Sequence, residues 1–188
     1  LPAQMAAHGL AAPGSRRVHP ALVHGTVDGR EAHDATSALE PEPAVNLDSV
    51  DELYFIGQHL EQYLHASRSP FDYYLRALEL DSGDYRCNLA LATLEYNRAN
   101  YEQALVYVNQ ALVRAHRLNK NPQCGKASLL RAHIEERLGQ FDAAFDDFYK
   151  ATWSAAWRAP AFLAIAEIDM TRREWATALE HLDNALRN

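Results

Sequence analysis

The sequence predicts an all-α fold, a right-handed helical solenoid of about four helix pairs preceded by an irregular N-terminal arm. Three observations predict it: a composition boundary near residue 46, helix-period patterning that is nearly continuous beyond it, and an internal repeat spaced by 34 and 40 residues.

The composition boundary divides the 188 residues into 1–46 and 47–188. The first stretch holds five of the eight prolines (Pro2, Pro13, Pro20, Pro41, Pro43), four of the eight glycines and no Phe, Trp or Tyr. It offers too little apolar surface to offset the entropy of ordering it, so it is expected to be an arm or linker. Its last part is the exception. Leu39, Pro41, Pro43, Val45 and Leu47 form a spaced apolar set on a proline-stiffened backbone, expected to lie along the apolar stripe of the repeats, in its own chain or a neighbour's.

The net charge of −7 is shared by both segments with no basic stripe able to track a phosphate backbone, which argues against nucleic acid. No run approaches a membrane span, and no basic flank leads into an apolar signal core. The chain starts at Leu1 without an initiator methionine, as expected of a fragment of a longer protein. Cys87 and Cys124 stand 37 residues apart in a helical sequence and are expected to be small buried residues, consistent with a reducing cytoplasm.

The repeat is an alanine signature found three times: Ala104, Val108, Ala111; Ala144, Phe148, Ala151; and Ala178, Leu182, Ala185. An aromatic precedes each set at the same offset, Tyr101, Phe141 and Trp175. Small or helix-breaking residues, Ala99, Gly139 and Arg173, mark the turn before it. Extended backwards by 34 residues, the pattern meets Tyr74 and Ala77. Units fall near 51–84, 85–124, 125–158 and 159–188, with helices near 48–66, 70–80, 84–97, 101–116, 124–138, 141–155, 159–172 and 175–187. Ala104, Ala144 and Ala178 are expected to be buried against the first helix of their own unit.

These residues resemble the tetratricopeptide repeat, whose signature runs large, leucine, small, aromatic in a first helix and alanine, aromatic, alanine in a second. Small residues let the helices approach and aromatics fill the wedge, so each pair buries a face on the next. Departures occur at Pro70, in place of the first alanine of unit 1, at Ser82, where a proline usually falls, and at Arg131, in a leucine position. Six extra residues between Leu118 and Gly125, rich in turn formers, are expected to form a loop. The strings LYFIGQHLEQY, DYRCNLALA and FYKATWSAAW are similar to the repeat region of a bacterial family in which a galactose-mutarotase-like β-sandwich precedes a tetratricopeptide array. That resemblance implies a sugar-related context and carries no catalytic residue onto this chain.

The first helix of each tetratricopeptide unit lines a concave groove. By register Phe55, Leu89, Leu129 and Leu163 form its apolar stripe, flanked by His59, Thr93, His133 and Glu167 and, one turn on, by Gln62, Tyr96, Glu136 and Met170. Such a stripe can receive a peptide with apolar anchors, or it can be ordinary packing between neighbouring helices. The carboxylate clamp of chaperone-binding tetratricopeptide domains wants lysine and asparagine where Phe55, His59, Leu89 and Thr93 stand, which disfavours an acidic C-terminal ligand.

Leu60-Glu61, Leu94-Glu95, Ile134-Glu135 and Ile168-Asp169 repeat a hydrophobic-acid pair in every unit. A column of carboxylates for a cation is one reading. The favoured one is pairing within each helix, with His65, Arg98, Arg131 and Arg172, leaving the acids partly exposed. Trp153 and Trp157, four apart, are expected on one helical face, stapling one repeat to the next, and Tyr73-Tyr74 likewise. Nine histidines include no zinc signature, and neither a nucleophile elbow nor a phosphate loop occurs, so no metal, cofactor or catalytic residue is assigned. The expectation is a non-catalytic protein- or peptide-binding scaffold, with self-association through the arm as a further partner mode. The alternative is an accessory or oligomerising segment of a carbohydrate-active polypeptide with its catalytic module upstream.

Overall fold

A computed structural model describes residues 40–64, 67–117, 119 and 125–187, of which the compact unit Glu40–Asn188 is built. Residues 1–39, and most of the loop expected between Leu118 and Gly125, lie outside the described residues, as do Cys124 and His65.

Among the described residues eight α-helices follow one another: α1 (Val50–Tyr63), α2 (Pro70–Leu80), α3 (Tyr85–Asn97), α4 (Tyr101–His116), α5 (Lys126–Arg137), α6 (Phe141–Ala151), α7 (Arg158–Arg172) and α8 (Trp175–Leu186). They pair α1 with α2, α3 with α4, α5 with α6 and α7 with α8, and each second helix packs on the next first helix. No strand occurs among the described residues. Each helix lies within the predicted positions except α7, which begins one residue before its predicted start at 159. α1 stops at Tyr63 because Leu64 turns left-handed at φ 48°. α6 stops at Ala151, short of the predicted 155, and a 3₁₀ turn at Ala155–Trp157 leads into α7.

That early stop corrects the tryptophan pair. Trp153 lies beyond the end of α6 and is exposed, while only Trp157 packs on the α6–α7 core. Tyr73 and Tyr74 are both fully buried beneath α1 and α3.

Within three pairs the turn has one construction. Ala99, Gly139 and Arg173 take positive φ of 61°, 77° and 64°. The next amide then reaches back: Asn100 N donates to Glu95 O (2.9 Å), Gln140 N to Glu135 O (2.8 Å) and Glu174 N to Asp169 O (2.9 Å). Ala99, Gly139 and Arg173 also donate to the carbonyls of Tyr96, Glu136 and Met170 at 2.9 to 3.1 Å. These two bonds satisfy carbonyls that a helix end would otherwise leave open. Pro70, the departure in unit 1, is the first residue of α2, where its missing N–H costs nothing, and Ser69 Oγ accepts from Phe71 N at 3.3 Å.

Ala104, Ala144 and Ala178 are buried at 0, 0 and 3% exposure, as the signature requires. The leucine position beside them is filled in four ways, by Gly57, Leu91, Arg131 and Ile165. Gly57 makes room for the Tyr74 ring, which would stand 2.6 Å from an added Cβ. Arg131 spans three helices. It grips the Asp147 carboxylate of α6 with Nε and Nη2 and donates through Nη1 to Asn109 Oδ1 of α4 at 3.1 Å. Cys87 is a small buried residue, and burial pushes its thiol up.

Residues 40–47 do not run along the first helices. They lie on α2: Leu47 is buried, Tyr73 Oη donates to Glu42 O at 2.7 Å, and Arg76 Nε donates to Leu47 O at 3.3 Å. The stripe expected to receive this segment is apolar, whereas α2 supplies the Tyr73 hydroxyl and the Arg76 guanidinium to bond its backbone.

Candidate functional site

The row of first helices carries the candidate groove, and its twelve residues differ in exposure from one end to the other. On α1, Phe55, His59 and Gln62 are exposed. On α3, Leu89 is buried and Thr93 and Tyr96 are half-buried, with Thr93 Oγ1 donating to Leu89 O at 2.9 Å. Leu129 on α5 is buried too, beside half-buried His133 and Glu136, whose Nδ1 and Oε2 lie 3.5 Å apart. On α7, Leu163, Glu167 and Met170 are exposed. The stripe is thus packed at its middle and open at its ends.

A cleft of about 480 Å³ opens between α1 and α3 and reaches Lys126 at the start of α5. Gln62, Leu89 and Thr93 line it. So do Tyr54, Gln58 and Arg86, which sequence reasoning missed. Tyr54, Gln58 and Gln62 recur every four residues and therefore share a face of α1, a signal that the leucine register had concealed. Tyr74 forms part of the lining from α2, its hydroxyl donating to Glu61 Oε2 at 3.1 Å. Arg86 lies over the Tyr54 ring, 4.8 Å from its centroid, and is held there by Asp51 at 2.6 Å and Asp84 at 3.1 Å. Burial pushes the Tyr54 hydroxyl up, so it stays a neutral donor at physiological pH. The cleft therefore combines aromatic faces, an apolar floor at Leu89 and Ala90, two primary amides, two cations and the Glu61 carboxylate.

The acid column is not what the sequence implied. Glu95, Glu135 and Asp169 are buried, at 4, 8 and 1% exposure, rather than partly exposed. Glu95 does pair with Arg98 at 3.3 Å, but Asn100 Nδ2 donates to it at 2.6 Å. Glu135 lies 3.7 Å from Arg131, and its Oε2 is buried without a hydrogen bond. Burial and the neighbouring Asp147 raise the Glu135 carboxyl to about 7, partly offset by Arg131. Asp169 does not meet Arg172. Its Oδ2 accepts from His181 Nδ1 of α8 at 2.6 Å, and the imidazole stacks on Phe162 with centroids 5.8 Å apart. Arg172 instead reaches across to Asp142 at 2.5 Å and lies over Phe145. Glu61, Glu95 and Asp169 thus bond to the second helix of their pair or to its cap, whereas Glu135 makes no such bond.

No cluster of three or more His, Cys, Asp or Glu side chains positioned for a metal occurs among the described residues. No described helix is long and apolar enough to cross a membrane.

No protein-family model matches the chain. Solved structures do. A crystal structure of MamA aligns with a TM-score of 0.63 at 14% identity, covering 74% of this chain and 78% of that one. MamA from Desulfovibrio magneticus, residues 41 to its end, gives 0.63 at 15% identity over 76% of each chain. The fold is of the tetratricopeptide type. At that identity the likeness extends to the arrangement of helix pairs alone, and the pattern of eight helices with buried alanines agrees with it.

Proposed function

We propose that this chain is a non-catalytic scaffold module that binds an extended peptide or protein segment along its first helices, centred on the cleft between α1 and α3. The supporting observation is the chemistry of that cleft. Gln58 and Gln62 offer a donor and an acceptor each, which suits peptide groups. Leu89 and Ala90 offer an apolar seat beside the neighbouring rings of Tyr54 and Tyr74, and Lys126 adds positive charge at one side, Arg86 being already paired with Asp51 and Asp84. The ligand is an extended segment with one apolar anchor and an acidic side chain next to it. The exposed Phe55, Leu163 and Met170 extend the surface for longer partners. In the parent polypeptide the module accompanies a galactose-mutarotase-like domain, as the three quoted strings suggest, and the gene sequence upstream of residue 1 checks that context.

The test is selection from a random peptide library displayed on phage, followed by titration of the winners. Peptides of that composition should bind the chain and lose at least about tenfold in affinity to Gln62→Ala combined with Arg86→Ala. Winners that bind this variant equally well, or no winners at all, would remove the cleft from consideration.

A further inference from the structure

Residues 40–47 meet α2 on a face that recurs on α6. The groove between that segment and α2, about 490 Å³, has Asp72, Leu75, Arg76 and Glu79 as its helical wall, with Pro43, Ala44 and Val45 opposite. Counted from the fully buried Ala77 and Ala151, the same four positions in the third pair are Asp146, Tyr149, Lys150 and Trp153. All four line one groove of about 310 Å³, together with Phe145 and Asp147. That lining comes wholly from α6 and the two residues after it, so no described residue of another element stands opposite.

The changes from α2 to α6 alter what the face can hold. Leu75 and Glu79 give way to Tyr149 and Trp153, which are 45 and 63% exposed, and the Phe145 and Tyr149 ring centroids lie 6.0 Å apart. Trp153 is past the end of α6, yet its amide donates to Lys150 O at 3.3 Å and its side chain lines the same groove as Tyr149. Aromatic floors of this kind suit proline, whose stiff backbone loses little entropy on docking and leaves its carbonyls unbonded. Lys150 stands where Arg76 donates to Leu47 O. Neither Lys150 Nζ nor the Trp153 indole N–H bonds a described residue, so both can donate to a docked chain. The equivalent positions are Val106, Asn109, Gln110 and Val113 on α4, and Glu180, Asp183, Asn184 and Arg187 in the last pair, with no ring in either set.

Charge separates the occupants of the two faces. Beside α2, Arg68 pairs with Glu40 at 3.1 Å, so an acid precedes Pro41 and Pro43. The same register puts Asp142, paired with Arg172, at the position of Arg68. Asp146 is exposed and makes no ion pair with a described residue. An acidic leader would meet two carboxylates there, whereas a lysine or arginine gains Asp146 as a partner. Residues 40–47 are therefore matched to α2 and mismatched to α6.

We propose that the α6 face is a docking site for a proline-containing, non-helical segment of a partner protein in which a lysine or arginine precedes the prolines. The prolines lie on Tyr149 and Trp153, Asp146 pairs with the basic residue, and Lys150 and the indole bond backbone carbonyls. This surface shares no residue with the cleft between α1 and α3.

The probe is a synthetic peptide of residues 40–47 carrying Glu40→Arg, blocked at both ends and titrated calorimetrically against the full chain. One-site binding that saturates below about 1 mM is expected. Trp153→Ala in the chain, or Pro41→Ala with Pro43→Ala in the peptide, should weaken it at least about fivefold. Gln62→Ala with Arg86→Ala should leave it unchanged, which separates this surface from the cleft. Asp146→Lys should reverse the preference, so that the peptide keeping Glu40 binds more tightly than the Glu40→Arg one; lost packing alone cannot produce that reversal. Absence of saturation, indifference to Trp153→Ala or to the prolines, loss of binding in the cleft variant, or a preference unmoved by Asp146→Lys would each overturn the proposal.

Discussion

At the scale of single residues, the acids, three buried and Glu61 half-buried, show how differently four equivalent positions are completed. Glu61 takes a tyrosine hydroxyl, Glu95 an asparagine amide, Glu135 an arginine, and Asp169 an imidazole. Two predictions belong here. Glu135 titrates at about 7 against an ordinary 4.5, so the folded state holds a proton that the unfolded state has released between those values. The stability it contributes is present below pH about 4.5 and lost as pH rises to about 7. Glu135→Gln keeps a neutral group and should be more stable than wild type by about 1 to 2 kcal/mol at pH 8, with little difference at pH 5, in paired thermal melts. For Asp169, exposed pairing would have made removal cheap, but burial with His181 reverses that. A double-mutant cycle of Asp169→Ala and His181→Ala should return a coupling of about 1 to 3 kcal/mol, because each single change strands a buried polar partner. Arg98 and Arg131 stand beside Glu95 and Glu135 as the spacing implied, but the Tyr74 and His181 partners were illegible in the sequence for a definite reason. A cation one turn away in the same helix is visible as spacing, whereas Tyr74 and His181 approach their acids only once second helices fold back.

At the scale of the element, the positive-φ turns are the part of the design most nearly independent of side chain. Only Gly139 has a residue suited to that backbone, and Ala99 and Arg173 hold the same shape against a steric penalty. Ala99→Gly should therefore raise stability by about 0.5 to 1 kcal/mol, relief of strain exceeding the added freedom of the unfolded chain, while Gly139→Ala should lower it by about 1. Chemical denaturation resolves both. Helix positions were legible from the alanine signature and its preceding aromatic because both report the same packing constraint. The Trp153 and Trp157 spacing misled because a four-residue interval means a shared face only where the helix continues, and α6 ends at Ala151. The docking of residues 40–47 was legible as an apolar set but not as an address, since the bonds that fix it come from Tyr73 and Arg76.

At the scale of the molecule, stability is arranged joint by joint, with each helix pair contributing to a core shared with its neighbour. Ala144→Leu overpacks the third pair, where no space remains beside a fully buried alanine, and should cost about 1 to 3 kcal/mol in a thermal melt. Hydrogen exchange should locate that loss in α5 to α8, leaving α1 and α2 protected, because coupling runs only between adjacent units. The cleft was half legible: Gln62, Leu89 and Thr93 follow from register, whereas Arg86 is brought in by Asp51 and Asp84, whose reach across helices no repeat pattern encodes.

The turn between paired helices has a consequence for how such a chain can change length. The aromatic stands six positions after the acid in each case, Tyr101 after Glu95, Phe141 after Glu135 and Trp175 after Asp169. The acid's carbonyl receives the closing bond of the turn, while its side chain sits in the interior of the pair. One inserted residue there would break the closing bond and slip the second helix past its acid together. Among the described residues no bond to the carbonyl of one of these acids closes the turns between pairs, and it is there that the interval lengthens from 34 to 40 residues. The molecule therefore has a rigid measure inside each hairpin and an elastic one between hairpins, so drift in length accumulates at the joints without disturbing a single buried charge.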